Sequence, residues 1–255
     1  MQFRKILFIP LFFFVICLSS APAQEKFDAV QLVRDLRILA SDSLQGRKTG
    51  TVGSKIAQEY IERAFGQKKL LTFGDSFRHT FSFVNKRERD KLYENAVNIV
   101  GYVKGREQHE RFIVISAHYD HVGVQNGIIY NGADDNASGV AAMLAAAAYF
   151  SKHQPHHSII FTAFDAEELG LRGAKAFVAN PPVSLQSMIL NVNLDMVSRS
   201  DKNELYVSGT YHYPRLKQLV RHAADKVRIK VLFGHDSPGS AAGSDWTYAS
   251  DHGPF

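Results

Sequence analysis

The spacing of apolar and polar residues divides most of the chain into predicted helices and strands. Phe27–Ala40 and Ser54–Phe65 repeat apolar residues at helical spacing, and Ser41–Gly53 between them predicts a glycine-rich loop. Phe77–Val84 alternates as a half-buried strand does, and the charged run Lys86–Lys91 predicts a solvated loop. The later predicted elements are, in chain order, strand Phe112–Ala117, helix Ala137–Phe150, strand Ser158–Phe164, helix Leu171–Val178, strands Met188–Leu194 and Glu204–Val207, helix Pro214–Val227 and strand Arg228–Phe233.

Strands that alternate with helices are typical of the α/β class. We therefore expect a three-layer αβα arrangement, with helices on both faces of a mixed sheet that is mostly parallel. Ligands of such sheets bind beyond the carboxyl ends of the strands. The residues that directly follow each predicted strand are therefore the first place to look for chemistry.

The N-terminus has the three parts of a secretory signal peptide. Arg4 and Lys5 precede the apolar run Ile6–Leu18, and Ala21-Pro22-Ala23 supplies a small-residue cleavage site before Gln24. We expect residues 1–23 to be removed and the protein to be periplasmic or extracellular, without stable membrane association; an uncleaved anchor is the alternative. The single cysteine lies in this segment, so a metal site in the mature chain must use His, Asp and Glu.

Composition and charge exclude several classes of protein. The 255 residues are 45% hydrophobic and 22% charged, which is ordinary for a globular protein. A disordered chain, a collagen-like fibre and a protein with many membrane spans are therefore excluded. The net charge is +5, but no basic stripe accompanies it, so we expect no nucleic-acid partner.

Titratable side chains gather where the predicted strands end. His118 and Asp120 follow one strand, Glu167 and Glu168 follow the next, and a third strand ends at Asp195. A further acidic string, GADDNASG, directly precedes the Ala-rich helix. One such group is commonly a helix cap, but several at one sheet edge would repel each other unless divalent cations neutralised them. The sequence therefore predicts a metal site at this edge.

The residue types fit zinc chemistry. Imidazole and carboxylate groups bind zinc when thiolates are absent, and one carboxylate can bridge two metals about 3.5–4 Å apart. Adjacent side chains such as Glu167 and Glu168 point in different directions in an extended chain, so one can bind metal while the other acts as a base. Asp120 is placed to accept the second ring N–H of His118, the usual support of a ligating imidazole.

Six strings in order make the chain resemble the secreted dizinc aminopeptidases, which are metallopeptidase family twenty-eight: GRKTGTVG, AHYDHVG, GADDNASG, AFDAEELGLRGA, NLDM and SDHGPF. The resemblance spans roughly residues 27–255 and implies a zinc-exopeptidase fold and peptide or protein substrates. It implies that His118 and Asp195 bind one of two zinc ions, that Asp135 bridges both, and that Glu168 binds the second. It further implies that Glu167 is the general base of a metal-activated water, and that Asp135 adjoins a cis peptide bond.

The sequence departs from the family after SDHGPF. The second zinc of the family needs a His beyond this string, and the chain given ends at Phe255. We therefore expect residues 24–255 to be a zinc peptidase domain that is incomplete at its C-terminal end, as a fragment of a longer product or as a short form with a defective second site. His252 is not assigned as a replacement ligand. His121 beside the site is either a residue that shapes it or ordinary packing, and Arg47 is expected to form a salt bridge or to anchor its loop.

Two other functions stay open at this point. A glutaminyl-peptide cyclotransferase shares the fold and uses one zinc, and a binding domain would have kept the fold without catalysis. The pair Glu167-Glu168 and the full set of residues for a first zinc favour the aminopeptidase.

Overall fold

A computed structural model describes residues 27–238 and 244–255 of the chain. The predicted signal peptide lies outside these residues. The helices are α1 Ala29–Leu39, α2 Val52–Gln67, α3 Gly139–Lys152, α4 Arg172–Ala179 and α5 Pro214–Ala224. The strands are β1 Arg78–Asn85, β2 Lys91–Val103, β3 Gln108–His118, β4 Gly123–Gln125, β5 Ile128–Tyr130, β6 His157–Phe164, β7 Met188–Asn193, β8 Glu204–Val207 and β9 Lys230–Phe233.

The main sheet is mixed and has the strand order β1-β2-β6-β3-β7. β6 and β7 run parallel to β3, whereas the pairs β1/β2 and β2/β6 are antiparallel. The predicted α/β class is confirmed, although the parallel share of the sheet is smaller than expected. β4 and β5 form a separate hairpin, and β8 and β9 form a short parallel pair.

The antiparallel half of the sheet depends on β2, which the sequence pattern does not reveal. The first residues of this strand are largely exposed and include the charged Lys91 and Glu94, and its buried part contains Asn98. The Asn98 side chain is satisfied by tertiary contacts, because it donates to the Gly173 carbonyl at 2.9 Å and accepts the Asp165 N–H at 3.1 Å. A buried polar residue with partners from distant parts of the chain carries no local strand signal.

Apolar side chains cover both faces of the sheet. On one face, α2 and α3 contribute Ile61, Phe65 and Met143 to a core that includes Ile99 and Phe161 of the sheet. On the other face, α4 packs Ala174 and Phe177 against side chains of β2, β3 and β6. The expected three-layer arrangement is therefore confirmed, and burial of these faces is the main source of its stability.

The segment Ser41–Gly53 is more ordered than the predicted loop. It contains a 3₁₀ turn, Asp42–Arg47, and α2 begins at Val52 within it. α2 starts there because Thr51 caps it, accepting the Ser54 N–H on its hydroxyl at 3.2 Å. Within residues 27–238 and 244–255, no helix is both long enough and apolar enough to cross a membrane.

Candidate metal centre

Three neighbouring parallel strands bring the predicted site residues to one edge of the sheet. His118 is the last residue of β3 and lies in register with Phe164, the last residue of β6. Ser116 of β3 lies in register with Asn193 of β7, so Asp195 follows at the same edge. The segment Ala133–Ser138 leads into α3 beside them. The convergence expected from the strand order is therefore present in the fold.

His118, Asp135 and Asp195 form the first group of ligand-type atoms. Nε2 of His118 lies 3.3 Å from Oδ1 of Asp135 and 3.4 Å from Oδ1 of Asp195. Zinc with bonds of about 2.0–2.1 Å in tetrahedral geometry separates its ligand atoms by about 3.3 Å. Oδ1 of Asp195 is buried and accepts no hydrogen bond from the described residues, whereas Oδ2 accepts from Ser250 Oγ at 2.6 Å. This donor set fits one zinc ion.

His121, Asp135 and Glu168 form a second group. Nδ1 of His121 lies 2.6 Å from Oε1 of Glu168 and 3.7 Å from Oδ2 of Asp135. The two oxygens of Asp135 therefore point to different groups, which is the arrangement that a bridging carboxylate requires. The sequence did not decide whether His121 shapes the site or only packs beside it. The structure places its ring nitrogen Nδ1 near the carboxylates of Glu168 and Asp135.

Asp120 supports the site differently from the sequence-based expectation. Nδ1 of His118 contacts the main-chain carbonyl of Asp120 at 3.1 Å, and the Asp120 carboxylate is farther away, at 3.6 Å. That carboxylate instead accepts the main-chain N–H groups of Glu167 at 3.0 Å and Glu168 at 3.3 Å. Asp120 thus orients His118 through its backbone and fixes the turn after β6 through its side chain.

The electrostatics of this edge reflect many carboxylates in a small space. Burial lowers the pKa of His118, but Asp120, Asp135 and Asp195 raise it, and the net pKa lies well above the usual value. Burial raises the pKa of Glu167 to about 8; His118 opposes this increase, whereas nearby carboxylates add to it. A divalent cation is the natural counter-charge for such a cluster.

Glu167 stands apart from both groups. Neither set of ligand-type atoms at this edge includes its carboxylate, whereas the adjacent Glu168 belongs to the second set. Glu168 therefore lies among the candidate ligand atoms, and Glu167 lies outside them. Between His121 and Glu168, a cavity of about 160 Å³ opens to solvent, lined further by Lys48, Thr49 and Gln125.

Arg47 anchors the loop that carries Asp135. Its buried guanidinium donates to the carbonyls of Tyr119 at 2.7 Å, Asn131 at 2.6 Å and Gly132 at 2.9 Å, and also to the carbonyl of Leu39. Burial lowers the pKa of Arg47 to about 10, although carboxylates of the metal centre oppose this shift. The expectation of a loop anchor is confirmed, with main-chain carbonyls as its partners.

The peptide bond between Asp135 and Asn136 is cis, as the family resemblance implied. The Asn136 side chain then holds the turn, because it donates to the Leu194 carbonyl at 2.9 Å and accepts the Gly139 N–H at 3.0 Å. Asn136 thereby connects the segment before α3 to the end of β7. Sequence reasoning did not assign it a role, since an Asn in an acidic string has no distinctive pattern.

Asp251 is a second site residue that sequence reasoning missed. It is fully buried, and neither carboxylate oxygen accepts a hydrogen bond from the described residues. Burial raises its pKa well above the usual value; His118 opposes this, and Glu167, Asp120 and Asp195 add to it. The string SDHGPF, which contains it, served only to identify the family resemblance.

Residues 98–255, more than half of the chain, match the profile of Peptidase family M28. The chain belongs to this family. The M28 resemblance expected from six short strings is thereby confirmed.

Aminopeptidase YwaD of Bacillus subtilis is similar to this M28 chain. The two are 34% identical over 169 residues, which are 64% of this chain and 33% of YwaD. The chain spans between 33% and 38% of the length of YwaD and of three other curated relatives.

Two solved structures share the fold of this M28 chain. A Zn-dependent exopeptidase from Parabacteroides distasonis has a TM-score of 0.66 and 17% identity, covering 88% of this chain and 81% of that one. A glutaminyl cyclase from Bacteroides thetaiotaomicron has a TM-score of 0.65 and 20% identity, covering 82% and 77%. At such identities the likeness establishes the fold alone.

Proposed function

We propose that this protein is a zinc-dependent aminopeptidase that hydrolyses the N-terminal residue from peptides. The observation that carries the proposal is the His118 group at ligand spacing, with Glu167 beside it as a carboxyl group of raised pKa. Membership of Peptidase family M28 and similarity to aminopeptidase YwaD support it.

The residues that would hold zinc follow from the two groups. His118, Asp135 and Asp195 would hold one ion, and Asp135 with Glu168 would hold a second, as the family resemblance implies. When bound, zinc lowers the pKa of a coordinated water and polarises the carbonyl of the scissile peptide. Because Nε2 of His118 already lies 3.3 Å from Oδ1 of Asp135 and 3.4 Å from Oδ1 of Asp195, little rearrangement of His118 is needed there.

Glu167 is the residue that would move the proton. As a carboxylate it would accept a proton on its side-chain oxygen from the attacking water, and it would return that proton to the leaving amine nitrogen. A pKa near 8 favours the return step, since a general acid–base group works best close to the working pH. The main-chain contact to Asp120 holds Glu167 in place during both transfers.

We also propose that the protein is exported. Residues 1–23 would direct export and be removed, leaving a protein outside the cytoplasm that begins at Gln24. N-terminal sequencing of the exported protein tests this, and a protein that retains Met1–Ala23 would contradict it.

A glutaminyl cyclase is the second candidate function. The likeness in fold to the cyclase from Bacteroides thetaiotaomicron favours it. The second group of ligand-type atoms uses Oδ2 of Asp135 while the first group uses Oδ1, and this favours the peptidase with its two ions.

The deciding experiment compares peptides that differ only at the N-terminus. We expect the zinc-loaded protein to release leucine from a Leu-initiated peptide and to leave its N-acetylated form intact, with activity lost after treatment with a zinc chelator. Mass spectrometry identifies the products. Formation of pyroglutamate from a Gln-initiated peptide without release of free residues would instead establish the cyclase.

A further inference from the structure

A line of hydrogen-bonded side chains crosses the sheet and ends on Asp195. We propose that two members of this line, Ser116 and Asn193, are positioning residues. They act through Ser250 and orient the Asp195 carboxylate so that one of its oxygens is open to zinc. Among the hydrogen bonds of the described residues, neither of these two side chains is bonded to a candidate metal ligand. The inference rests on the proposed function only for the binding of zinc at Asp195.

Four hydrogen bonds form the line. Nδ2 of Asn191 donates to Oγ of Ser116 at 3.0 Å, and this hydroxyl donates to Oδ1 of Asn193 at 2.8 Å. Nδ2 of Asn193 donates to Oγ of Ser250 at 2.8 Å. The Ser250 hydroxyl donates to Oδ2 of Asp195 at 2.6 Å, a usual length for a bond from a hydroxyl to a carboxylate. Every donor therefore points along the line toward the carboxylate.

The carboxylate at the end of the line fixes the direction of every bond. An ionised Asp195 only accepts hydrogen bonds, so Ser250 must give it the single hydroxyl proton. The Ser250 oxygen then accepts from Asn193, which turns the amide oxygen of Asn193 toward Ser116. The Ser116 hydroxyl donates to that amide oxygen, so its own oxygen accepts from Asn191. Reversing any one of these bonds would place two donors or two acceptors face to face.

The line leaves one oxygen of Asp195 for a metal. Oδ2 accepts from Ser250, whereas Oδ1 is buried and accepts no hydrogen bond from the described residues. Oδ1 lies 3.4 Å from Nε2 of His118, at the first candidate zinc position. Hydrogen bonds in a series polarise one another, so the bonds made by Asn193 and Ser116 strengthen the last one. A carboxylate held at Oδ2 in this way presents a single fixed oxygen to the ion.

The line is built into the middle of the sheet. Ser116 of β3 is fully buried and lies in register with Asn193 of β7. The Leu194 N–H also donates to the main-chain carbonyl of Ser116 at 2.8 Å, so β3 holds the chain directly before Asp195. Apolar side chains at these positions would pack without the desolvation cost of polar groups. The orientation of Asp195 gives a functional reason for polar side chains there.

A purely structural role is the competing explanation, and the neighbouring strand offers a matched control. Thr162 of β6 lies in register with Ser116 and is fully buried, and its hydroxyl has no partner among the described residues. Thr162→Val removes this hydroxyl and keeps the shape of the side chain. Ser116→Ala removes a buried hydroxyl at the same level of the sheet, but one that belongs to the line. The two variants therefore separate loss of the line from disturbance of the core.

The test is the affinity of the protein for its first equivalent of zinc, measured by competition with a chromophoric chelator. We expect Ser116→Ala to lower this affinity by about 3–10-fold, which corresponds to about one ordinary hydrogen bond. Ser250→Ala, which removes the direct contact to Asp195, should lower it by about 10–100-fold. Asn193→Leu breaks the line between these two positions and should cause an intermediate loss. Thr162→Val should retain the wild-type affinity.

A double-mutant cycle tests whether the residues act through one line. Once Ser250→Ala has removed the last bond, the additional change Ser116→Ala has no route to Asp195. The double variant should therefore match Ser250→Ala within about twofold. If the two residues acted independently, the double variant would lose a further factor as large as that of Ser116→Ala alone.

The outcomes separate this inference from the proposed function. Wild-type zinc affinity in Ser116→Ala, an equal loss in Thr162→Val, or additive losses in the double variant would each overturn the positioning role and leave the proposed function intact. If Ser116→Ala does not fold, Asn193→Leu takes its place in the cycle with the same expectation. A wild-type protein that binds no zinc would overturn the proposed function together with the inference.

Discussion

Oδ1 of Asp120 accepts the main-chain N–H of Glu167 at 3.0 Å. The other carboxylate oxygen accepts the N–H of Glu168 at 3.3 Å, and the backbone carbonyl of the same residue contacts His118. One residue thus joins the end of β3 to the turn after β6. The relative position of the proposed base and the proposed metal ligands therefore depends on Asp120.

Asp120→Asn should weaken metal binding. The amide replaces one accepting oxygen with an NH₂ group, which repels one of the two main-chain N–H groups. Loss of a residue that supports metal ligands typically costs about 10–100-fold in metal affinity or activity. Zinc affinity measured by competition with a chromophoric chelator should fall within that range.

Asp134→Asn is the matched control for that measurement. Asp134 adjoins Asp135, but Oδ1 bonds to Ser198 in an exposed position. We expect wild-type zinc affinity in this variant. Equal losses in both variants would show that the effect comes from the total charge of the loop and not from the contacts of Asp120.

Glu167→Gln should abolish hydrolysis and retain zinc. The amide fills the same space but cannot accept a proton, and general acid–base groups contribute about 10²–10⁴-fold to rate. Release of leucine from a Leu-initiated peptide should fall by that factor, with zinc content unchanged. Substantial hydrolysis by the zinc-loaded variant would remove Glu167 from the proposed mechanism.

Arg47→Ala should strongly destabilise the protein. The substitution leaves four carbonyl groups without their donor in a buried place, those of Leu39, Tyr119, Asn131 and Gly132. A buried unsatisfied group costs about 1–3 kcal/mol, so the total loss should reach about 3 kcal/mol or more. Denaturant unfolding of the metal-free protein measures the difference.

Lys48→Ala is the control for Arg47→Ala. Lys48 is the next residue, and its ion pair with Glu88 at 3.0 Å is partly exposed. Pairs of this kind contribute about 0.2–1 kcal/mol. If Lys48→Ala lowered the free energy of unfolding as much as Arg47→Ala, burial of the side chain would not explain the effect of Arg47→Ala.

The metal-free protein should lose stability as pH rises. The pKa of Glu167 is about 8 and that of Asp165 about 7 in the folded state; burial is the main cause in both, and Asp120 adds to it. Both pKa values lie above those of an unfolded chain, so the folded state binds more protons between about pH 4 and pH 8. The free energy of unfolding therefore falls as pH rises through this window.

Thermal unfolding in the presence of a chelator checks this pH dependence. We expect the melting temperature to be at least about 2–4 °C lower at pH 8 than at pH 5.5, which corresponds to about 1 kcal/mol. Glu167→Gln should have a smaller slope, because one of the two groups is removed. A melting temperature that rises with pH would contradict the predicted sign. Zinc should stabilise more at high pH, since its ligands must be deprotonated.

Local sequence patterns were sufficient to predict the helices and strands that are apolar along their length. β6, β7 and α3 lie within a few residues of their predicted bounds, because a buried strand or an Ala-rich helix differs from its flanks in composition. β2 was missed, since its buried Asn98 is satisfied by residues more than sixty positions away. The smaller parallel share of the sheet follows from that one strand.

The sequence by itself determined which residues meet at the site, because parallel strands carry their carboxyl ends to one edge and the motifs directly follow those strands. The resemblance to the dizinc aminopeptidases then singled out His118, Asp135, Glu168 and Asp195 as ligands, with Glu167 beside them. Only the tertiary structure decided how the side chains at this edge are oriented and which atoms they contact. It turned the Asp120 carboxylate to two main-chain N–H groups, aimed His121 at Glu168 and buried Asp251 among other carboxylates. Such orientations depend on contacts between distant parts of the chain, and no local pattern of residues contains them.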